Sequence, residues 1–458
     1  MKKATIKALH KKDDPDDISN YRPISILPTL SKIFERAATD QLVRYLEYNN
    51  LLTTCQHAYR RFHSTQTCLV EVVNHIYKLT DSGKFAAVVS LDLSKAFDSI
   101  SHTLLLEKLS TLGLSETTLN WVKSYLTNRK QRTKFKEYIS KEEVISSGVP
   151  QGSIIGPLLF ICFTNDLPQE FKEKCKLIAY ADDSQLIIEA KSLHQLETRI
   201  AEIIKIAQTW YNSNSMKNNI TKTEVLVINT KKAPVNNMKI QVIDTGKPKT
   251  LKPKQHIKIL GVYLDDKLNW KKQISNVKCK AMNAIRNIHR INHLLPIKQR
   301  VQLYNSLISP QFDYADVVWG GCGAVNNQRL QVAQNFAIKS ITGNKKSDSA
   351  TASFNKLKFL RLEQRRFLHE AVFCHKSLLF QNPEEINNSY LKQLPVGNTR
   401  QAAQGKLTLP THSTSKYENS PLYRSLKTWN SCPTNIPTGN IKTHKSALHK
   451  HIIHQTYG

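Results

Sequence analysis

The sequence predicts an α+β fold, in which strands and helices are mixed up to about residue 265 and helices prevail beyond it. A run rich in Val and Leu at 86–93 is typical of a buried strand. Two short apolar runs, 177–181 and 185–188, flank Asp182-Asp183-Ser184, and this arrangement predicts a β-hairpin. Strands are also expected at 225–228 and 257–264, on the same grounds.

The helices follow from apolar residues that recur at helical spacing. The segment 192–210 is amphipathic, and Ser192 with Gln195 predicts a capping box at its start. Beyond Trp270, one apolar face continues the helical pattern: Ile274, Val277, Ala281, Ile285 and Ile288. Further helices are predicted at 30–45, at 102–112, from Pro157 after the loop 148–152, and onward to about 341. Residues 382–440 are polar and show only weak periodicity.

The net charge indicates a polyanionic partner. Lys and Arg number 66 against 36 Asp and Glu, a formal net charge of +30. The segment 231–310 alone holds 17 basic and 3 acidic residues. Nucleic acid is the simplest partner for such a chain. A basic membrane-surface protein is the alternative, but no long basic amphipathic anchor and no apolar run of about 20 residues stand out. We therefore expect a soluble intracellular protein, in the nucleus, the cytoplasm or both.

The eight cysteines favour a reducing compartment, because none of them forms a C-x-x-C pair. His369, Cys374 and His375 are the only group that resembles a metal site. They lack a second pair at zinc-finger spacing, so a structural zinc is disfavoured.

Two carboxylate positions suggest chemistry. Asp92 ends the predicted strand 86–93, and Asp182-Asp183 occupies the predicted hairpin turn. Phosphoryl transfer by two metal ions needs oxygen ligands that hold both ions roughly 4 Å apart. At a turn, Asp182 is able to lean toward Asp92 on a neighbouring strand. An Asp-Asp pair is also common in turns without any function, so this signal is weak by itself.

The order of several motifs makes the interpretation specific. They are the sequences at 20–25 (NYRPIS), 56–65, 91–98, 148–157 (GVPQGSIIGP), 180–183 (YADD), 222–224 (KTE) and 260–262 (LGV). In this order they resemble the reverse transcriptases of jockey-like and related non-LTR retrotransposons, over roughly residues 1–345. The resemblance implies a right-hand polymerase fold, with fingers at 1–85, a palm with an antiparallel sheet at 86–265 and a helical thumb at 266–345. A basic region of uncertain structure follows at 346–458.

The resemblance also implies roles for single residues in the palm. Asp92 and Asp182 match metal-binding aspartates and Asp183 completes the pair, so two Mg²⁺ ions, or Mn²⁺ ions in their place, are expected. Phe97 matches a bulky residue that crowds a ribose 2′-hydroxyl, with a plain core aromatic as the alternative. Gln151 and Gly152 match the loop that lines the nucleotide pocket.

Further roles concern the triphosphate and the primer. Lys222 matches a lysine proposed to protonate pyrophosphate, although a solvated lysine is the alternative. Arg60 or Arg61 resembles the fingers arginine over the triphosphate, and the choice between them stays open. Leu260, Gly261 and Val262 resemble the hairpin that grips the primer end. Asp98 is expected to cap the helix from His102 rather than to neighbour the metal.

Several consequences of the resemblance concern the whole chain. The implied partners are an RNA template, a DNA primer or nicked target DNA, and deoxynucleoside triphosphates. Full elements of this family carry an endonuclease upstream, and Met1 stands almost inside the predicted fingers, so a truncated copy is expected. A catalytically silent nucleic-acid-binding remnant is the main alternative function. An RNA-templated RNA polymerase is a weaker one, which Phe97 disfavours.

Overall fold

The computed structural model describes residues 2–11, 14–94, 96–229, 235, 238–244, 246–345, 347–381, 383–391 and 405–457. Lys95 of the 91–98 motif and Lys231 and Lys232 of the basic segment therefore lie outside the described residues. The described strands are β1 Lys3–His10, β2 Tyr21–Ile26, β3 Phe85–Leu91, β4 Leu93–Ser94, β5 Lys130–Phe135, β6 Tyr138–Ile139, β7 Glu143–Val144, β8 Lys176–Tyr180, β9 Asp183–Ala190, β10 Lys217–Asn218, β11 Glu224–Ile228, β12 Ile240–Asp244, β13 Lys247–Leu251, β14 His256–Ile259 and β15 Val262–Asp265.

The helices are spread over the whole chain and dominate its second half. They are α1 Thr29–Tyr48, α2 Thr65–Asp81, α3 His102–Thr111, α4 Glu116–Leu126, α5 Gly156–Phe163, α6 Leu167–Glu170, α7 Leu193–Ser213, α8 Lys271–Ile291, α9 Ile297–Leu303, α10 Ser309–Asp313, α11 Asp316–Trp319, α12 Ala324–Thr342, α13 Ala350–Leu357, α14 Leu362–Phe380, α15 Glu384–Leu391, α16 Pro421–Asn430 and α17 Ile441–Tyr457. The predicted α+β composition is confirmed.

A four-stranded antiparallel sheet of order β11-β3-β9-β8 lies at the centre. Its strands are rich in β-branched and aliphatic residues, and successive side chains point to opposite faces. Val88 and Ile187 belong to a core that includes α2 and α8, whereas Val89 and Ile188 belong to a core that includes α3, α5 and α7. Because helices cover both faces, the sheet is a rigid platform for residues at its strand ends.

The predicted hairpin is confirmed as β8 and β9. Tyr180 pairs with Asp183, so Ala181 and Asp182 form a two-residue turn. Ala181 adopts a left-handed conformation with φ of 54°. The predicted strand 86–93 is interrupted at Asp92, because β3 ends at Leu91 and the short β4 pairs with β10 instead.

Two predicted helix caps differ in detail. Ser192 caps α7 by accepting from the backbone N–H of Gln195, as expected. The Gln195 side chain, however, accepts from the N–H of Lys191 and not from that of Ser192, so the predicted capping box is wrong. Helix α3 is capped by Ser101, which accepts from Leu104, and not by Asp98.

A second sheet contains β1, β2, β5, β6 and β7. Strand β2 is tied to the loop after β7, because the N–H of Ser25 donates to the carbonyl of Gln151 over 2.7 Å. This bond brings the 20–25 motif to the edge of the predicted nucleotide loop.

Helices after β15 extend the core on the α2 side of the sheet. The face of α8 predicted to be apolar is buried, and helices α12 and α14 belong to the same core. Although periodicity is weak at 382–440, α15 and α16 form there and pack on α2. Leu422 N–H donates to the Asn74 side chain over 3.0 Å, and Asp81 accepts from the N–H groups of Ser413 and Thr414. No helix in the described ranges is long and apolar enough to cross a membrane.

Candidate active site

The three predicted aspartates come together at one edge of the central sheet. Leu91 pairs with Ser184, so Asp92, the next residue, lies level with the start of β9 at Asp183. Asp182 occupies the adjoining turn. The Gln56 side chain holds this turn, because its oxygen accepts the N–H of Ala181 over 2.9 Å. Gln56 is 5% exposed. Sequence reasoning included Gln56 in a motif but missed this role.

The three carboxylates repel one another, and this repulsion contributes to raised pKa values at Asp182 and Asp183. Burial, and then repulsion from Asp182 and Asp92, raises the pKa of Asp183 to about 6. Burial also raises the pKa of Asp182, and Asp92 adds to the rise, whereas a backbone hydrogen bond and the charges of Arg22 and Lys11 lower it. A site that repels its own charges in this way favours a bound cation.

These carboxylates fit hard divalent cations, because each ligand atom is an oxygen. Their ligand oxygens do not all lie within 4.8 Å of one another, so they do not form a closed metal site in this conformation. Among the described residues, the only group of three His, Cys, Asp or Glu residues with ligand atoms all within 4.8 Å is Asp313, Asp316 and His369. That group lies in the region after the sheet and includes none of the predicted metal ligands.

Lys222 lies close to Asp92. Its Nζ is 3.7 Å from Oδ2 of Asp92, and its side chain is 66% exposed. The backbone also links the two residues, because the N–H of Asn219 donates to the Asp92 carbonyl and the N–H of Lys222 donates to the Asn219 carbonyl. The lysine is therefore brought to the site and is still free to move.

Phe97 is half-buried, with its ring centroid 4.6 Å from that of Phe160. Its carbonyl accepts the N–H of Val149 over 2.8 Å, which joins it to the loop 148–152. The Asp98 carboxylate accepts from Nε2 of Gln151 at 2.9 Å to each oxygen. The predicted cap at Asp98 is thus replaced by a side-chain bond to the nucleotide loop.

Gly152 has a positive φ of 110°, which disfavours any side chain. A Cβ here would lie 2.8 Å from the carbonyl oxygen of Ser25. Gly152 therefore allows the backbone of β2, and not only a substrate, to approach the loop closely. The loop is fixed further by Glu35, which is 1% exposed and accepts the N–H of Ile154 over 2.7 Å. Sequence reasoning did not identify Glu35. Its position as an acidic residue within an apolar helical pattern could have indicated a buried, bonded side chain.

The two candidate fingers arginines differ in their contacts. Arg60 forms a two-point ion pair with Glu47, at 3.0 and 3.1 Å, and donates to the Thr53 carbonyl. Arg61 is exposed, and its guanidinium has no ion-pair partner in the described part of the chain. Tyr59 lies near the site, since burial and then the charge of Asp182 raise its pKa. Arg61 is therefore the arginine available to a ligand.

Leu260 and Gly261 form the turn of the β14–β15 hairpin, and Val262 begins β15. Helix α8 follows, with Lys271, Lys272, Lys278, Lys280 and Arg286 all exposed. The structure gives His369, Cys374 and His375 separate environments, so they do not form one metal-like group. His369 binds Asp316, Cys374 is fully buried, and Nε2 of His375 bonds to the Thr438 carbonyl.

A sheet of this strand order, with aspartates at the ends of adjacent strands, is that of the right-hand polymerase fold. Residues 9–283, more than half of the chain, match the family described as reverse transcriptase (RNA-dependent DNA polymerase). The chain therefore belongs to the reverse transcriptase family. The predicted family and fold class are confirmed.

Curated relatives extend the comparison to mobile elements. The probable RNA-directed DNA polymerase from transposon X-element of Drosophila melanogaster is 27% identical over 345 residues, which cover 74% of this chain and 37% of the relative. The RNA-directed DNA polymerase from mobile element jockey of the same species is 27% identical over 352 residues, covering 75% and 38%. The chain thus spans well under half the length of these relatives. A solved apo telomerase from Candida tropicalis is 12% identical, with a TM-score of 0.44, over 80% of this chain and 61% of that one.

Proposed function

We propose that this chain is the RNA-directed DNA polymerase of a non-LTR retrotransposon, which extends a DNA primer on an RNA template. The observation that supports it most is the group of Asp92, Asp182 and Asp183, in which burial, together with mutual repulsion, raises the pKa of Asp182 and Asp183. Membership of the reverse transcriptase family supplies the reaction type. The relatives named above are polymerases of mobile elements, which supports the same assignment.

In this proposal Asp92, Asp182 and Asp183 hold two divalent cations. Such ions lower the pKa of an attacking 3′-hydroxyl and offset the charge of the triphosphate. Mg²⁺ is the proposed ion and Mn²⁺ a substitute, because carboxylate oxygens suit both. Lys222, 3.7 Å from Asp92 and mostly exposed, is placed to give a proton to the departing pyrophosphate. Arg61 binds the triphosphate, because Arg60 is already paired with Glu47.

Phe97 selects the sugar in this proposal. Its contact with Phe160 and its carbonyl bond to Val149 hold the ring beside the loop of Gln151 and Gly152. Phe97→Ala should raise ribonucleotide incorporation relative to deoxynucleotide incorporation by about 10- to 100-fold, since a steric block is removed. Single-nucleotide kinetics with paired ribo- and deoxynucleotides measures this ratio. An unchanged ratio would return Phe97 to a purely core role.

The proposed partners are an RNA template, a DNA primer or nicked target DNA, and deoxynucleoside triphosphates. The exposed basic residues of α8 follow the proposed primer-grip hairpin of Leu260, Gly261 and Val262, which suits contact with a hybrid duplex. We propose fingers at 1–85, palm at 86–265 and thumb at 266–345, followed by the region 346–458, whose helices α15 and α16 pack on α2. Nuclear or cytoplasmic residence is part of the same proposal, because the substrates are found there.

Primer extension on poly(rA)/oligo(dT) tests the proposal directly. Purified protein should extend the primer with Mg²⁺ and deoxythymidine triphosphate, and Asp182→Ala protein should not. Binding of the same hybrid, followed by fluorescence anisotropy, provides the second measurement. Hybrid binding without extension in either Mg²⁺ or Mn²⁺ would instead identify a silent nucleic-acid-binding remnant.

A further inference from the structure

The turn of the β14–β15 hairpin has an unfavourable conformation for its sequence. Leu260 and Gly261, between the paired residues Ile259 and Val262, have φ of 44° and 86°. Two consecutive positive φ values are those of a type I′ turn, which favours Asn-Gly or Gly-Gly. Glycine at the second position meets this requirement, but leucine at the first does not. Some other contact must therefore hold Leu260 in this conformation.

Tyr314 supplies that contact. Its hydroxyl donates to the carbonyl of Leu260 over 2.6 Å. Its ring covers Gly261, where a Cβ would lie 3.4 Å from Cε1 of Tyr314. The tyrosine thus bonds one turn residue and packs on the other.

The backbone around Tyr314 is itself fixed. Its carbonyl accepts from Nε1 of Trp319 over 3.0 Å, and its N–H donates to the Pro310 carbonyl over 3.1 Å. Trp319 is fully buried. Tyr314 is 44% exposed, so its ring extends from a rigid base toward solvent and is not a core residue.

The hairpin turn and the catalytic turn share one core. Leu260 of the hairpin and Tyr180, the last residue of β8, both pack against it, and it also contains Ala315, the residue after Tyr314. Tyr180 directly precedes Ala181 and Asp182. The segment that holds Tyr314 is therefore packed on the same core as the hairpin turn and the strand that presents the metal-binding aspartates.

We propose that Tyr314 is a positioning residue for the primer terminus: its hydroxyl and ring set the conformation of the hairpin turn, which packs on the same core as the catalytic turn. The inference rests on the proposed polymerase function and on the assignment of Leu260, Gly261 and Val262 as the primer grip. When the hydroxyl is removed, the Leu260 carbonyl loses its donor and the turn relaxes. The primer 3′ end is then held less accurately against Asp92 and Asp182.

Tyr314→Phe tests this proposal and has a matched control. Tyr45 is 38% exposed, its hydroxyl donates to the Gly113 carbonyl over 2.8 Å, and Gly113 has a positive φ of 76°. Tyr45→Phe therefore removes the same kind of bond at a site outside the proposed catalytic machinery. We expect Tyr314→Phe to lower the efficiency of primer extension about 3- to 10-fold, the range for one lost hydrogen bond, with the KM for nucleotide little changed. Tyr45→Phe should match the wild type.

A binding measurement separates this inference from the polymerase function. A hybrid with 2-aminopurine at the primer 3′ terminus, bound in Ca²⁺ to suppress chemistry, reports how that base is held. The fluorescence of the bound terminus should differ between Tyr314→Phe and wild-type protein, even if neither extends a primer. Equal fluorescence and equal extension efficiency in a variant with an unchanged melting temperature would overturn the inference. Absence of extension by the wild type would overturn the proposed function alone.

A double-mutant cycle adds a test of the mechanism. Leu260→Asn creates Asn-Gly, the pair that a type I′ turn prefers. In this background the turn no longer depends on the Tyr314 hydroxyl, so Tyr314→Phe should lose at least half of its effect on extension efficiency. An undiminished effect would contradict the claim that the hydroxyl acts through the turn.

Discussion

Two clusters of acidic side chains in this protein differ in how their charge is compensated. Asp313 forms a two-point ion pair with Arg365, and Asp316, 2% exposed, bonds to His369 over 2.7 Å. Each of these acids has a protein partner. Asp182 and Asp183, by contrast, have no ion-pair partner within the described residues, and Asp92 has only the exposed Lys222 at 3.7 Å.

The comparison shows that proximity is a poor guide to a metal site. Asp313, Asp316 and His369 are the tighter group, yet Arg365 already pairs with Asp313 and His369 already bonds to Asp316. The proposed catalytic carboxylates are more spread, and no ion pair within the described residues offsets the charge of Asp182 and Asp183. Unmatched charge, held in place by a rigid sheet, is the better sign of function.

The largest effect should follow from removing an unmatched carboxylate. Asp182→Ala should reduce the rate of extension by on the order of 10³-fold or more, because it removes an oxygen ligand from the proposed metal pair. Hybrid binding should stay nearly intact, because the basic surface is unchanged. Asp244→Ala, at a surface hairpin, is the control. Extension by Asp182→Ala near the wild-type rate would break the two-metal assignment.

Arg60 and Arg61 show the same contrast for positive charge. Arg60 is paired with Glu47, whereas Arg61 has no ion-pair partner within the described residues. Arg61→Ala should raise the KM for deoxynucleotide about tenfold or more, the range for losing a charge-assisted hydrogen bond, without a change in stability. Arg60→Ala should instead lower the free energy of unfolding by about 2 kcal/mol, because Glu47 loses its partner. Steady-state kinetics and urea unfolding measure the two effects. The reverse result would assign the triphosphate to Arg60.

A substitution in the cluster of Asp313, Asp316 and His369 should change the stability of the protein and not its activity. His369→Ala leaves the buried Asp316 carboxylate without its partner, and we expect a loss of about 3 kcal/mol in the free energy of unfolding. Extension per folded molecule should stay within a factor of about two, as for a surface substitution. A loss of activity without a loss of stability would show that this cluster takes part in the reaction.

The smallest effect concerns pH. The folded-state pKa of Asp183, about 6, exceeds the usual value of about 4, so the folded protein binds more protons between these limits. Without divalent ions, the contribution of Asp183 to stability should therefore fall as pH rises from about 4 to about 6. Asp183→Asn should remove this part of the pH dependence in urea unfolding. Identical profiles for the two proteins would place Asp183 outside the repelling cluster.

The sequence was sufficient for features that depend on short segments. The strand and turn that present Asp92 and Asp182 follow from local apolar runs, and the buried face of α8 follows from helical spacing. Motif order was sufficient for the family.

Contacts between distant segments could not be predicted. Asp98 bonds to Gln151, 53 residues away, whereas local pattern favoured a helix cap. Gly152 is required by the approach of Ser25, and Glu35 holds Ile154 from 119 residues away. The segment 382–440 was predicted to have only weak periodicity, but α16 within it has buried leucines at helical spacing, Leu422 and Leu426, and packs on α2. The prediction missed this short apolar face.

The docking of α16 on α2 has a consequence for synthesis on the ribosome. Asn74 and Leu422 are 348 residues apart, and Asp81 binds Thr414 across 333 residues. At about 5 to 20 residues per second, roughly 20 to 70 s pass between the emergence of α2 and that of its partner. During this interval Asn74 and Asp81 lack these partners. We therefore expect the nascent chain to be prone to non-native contacts on this side of α2 until translation reaches α16.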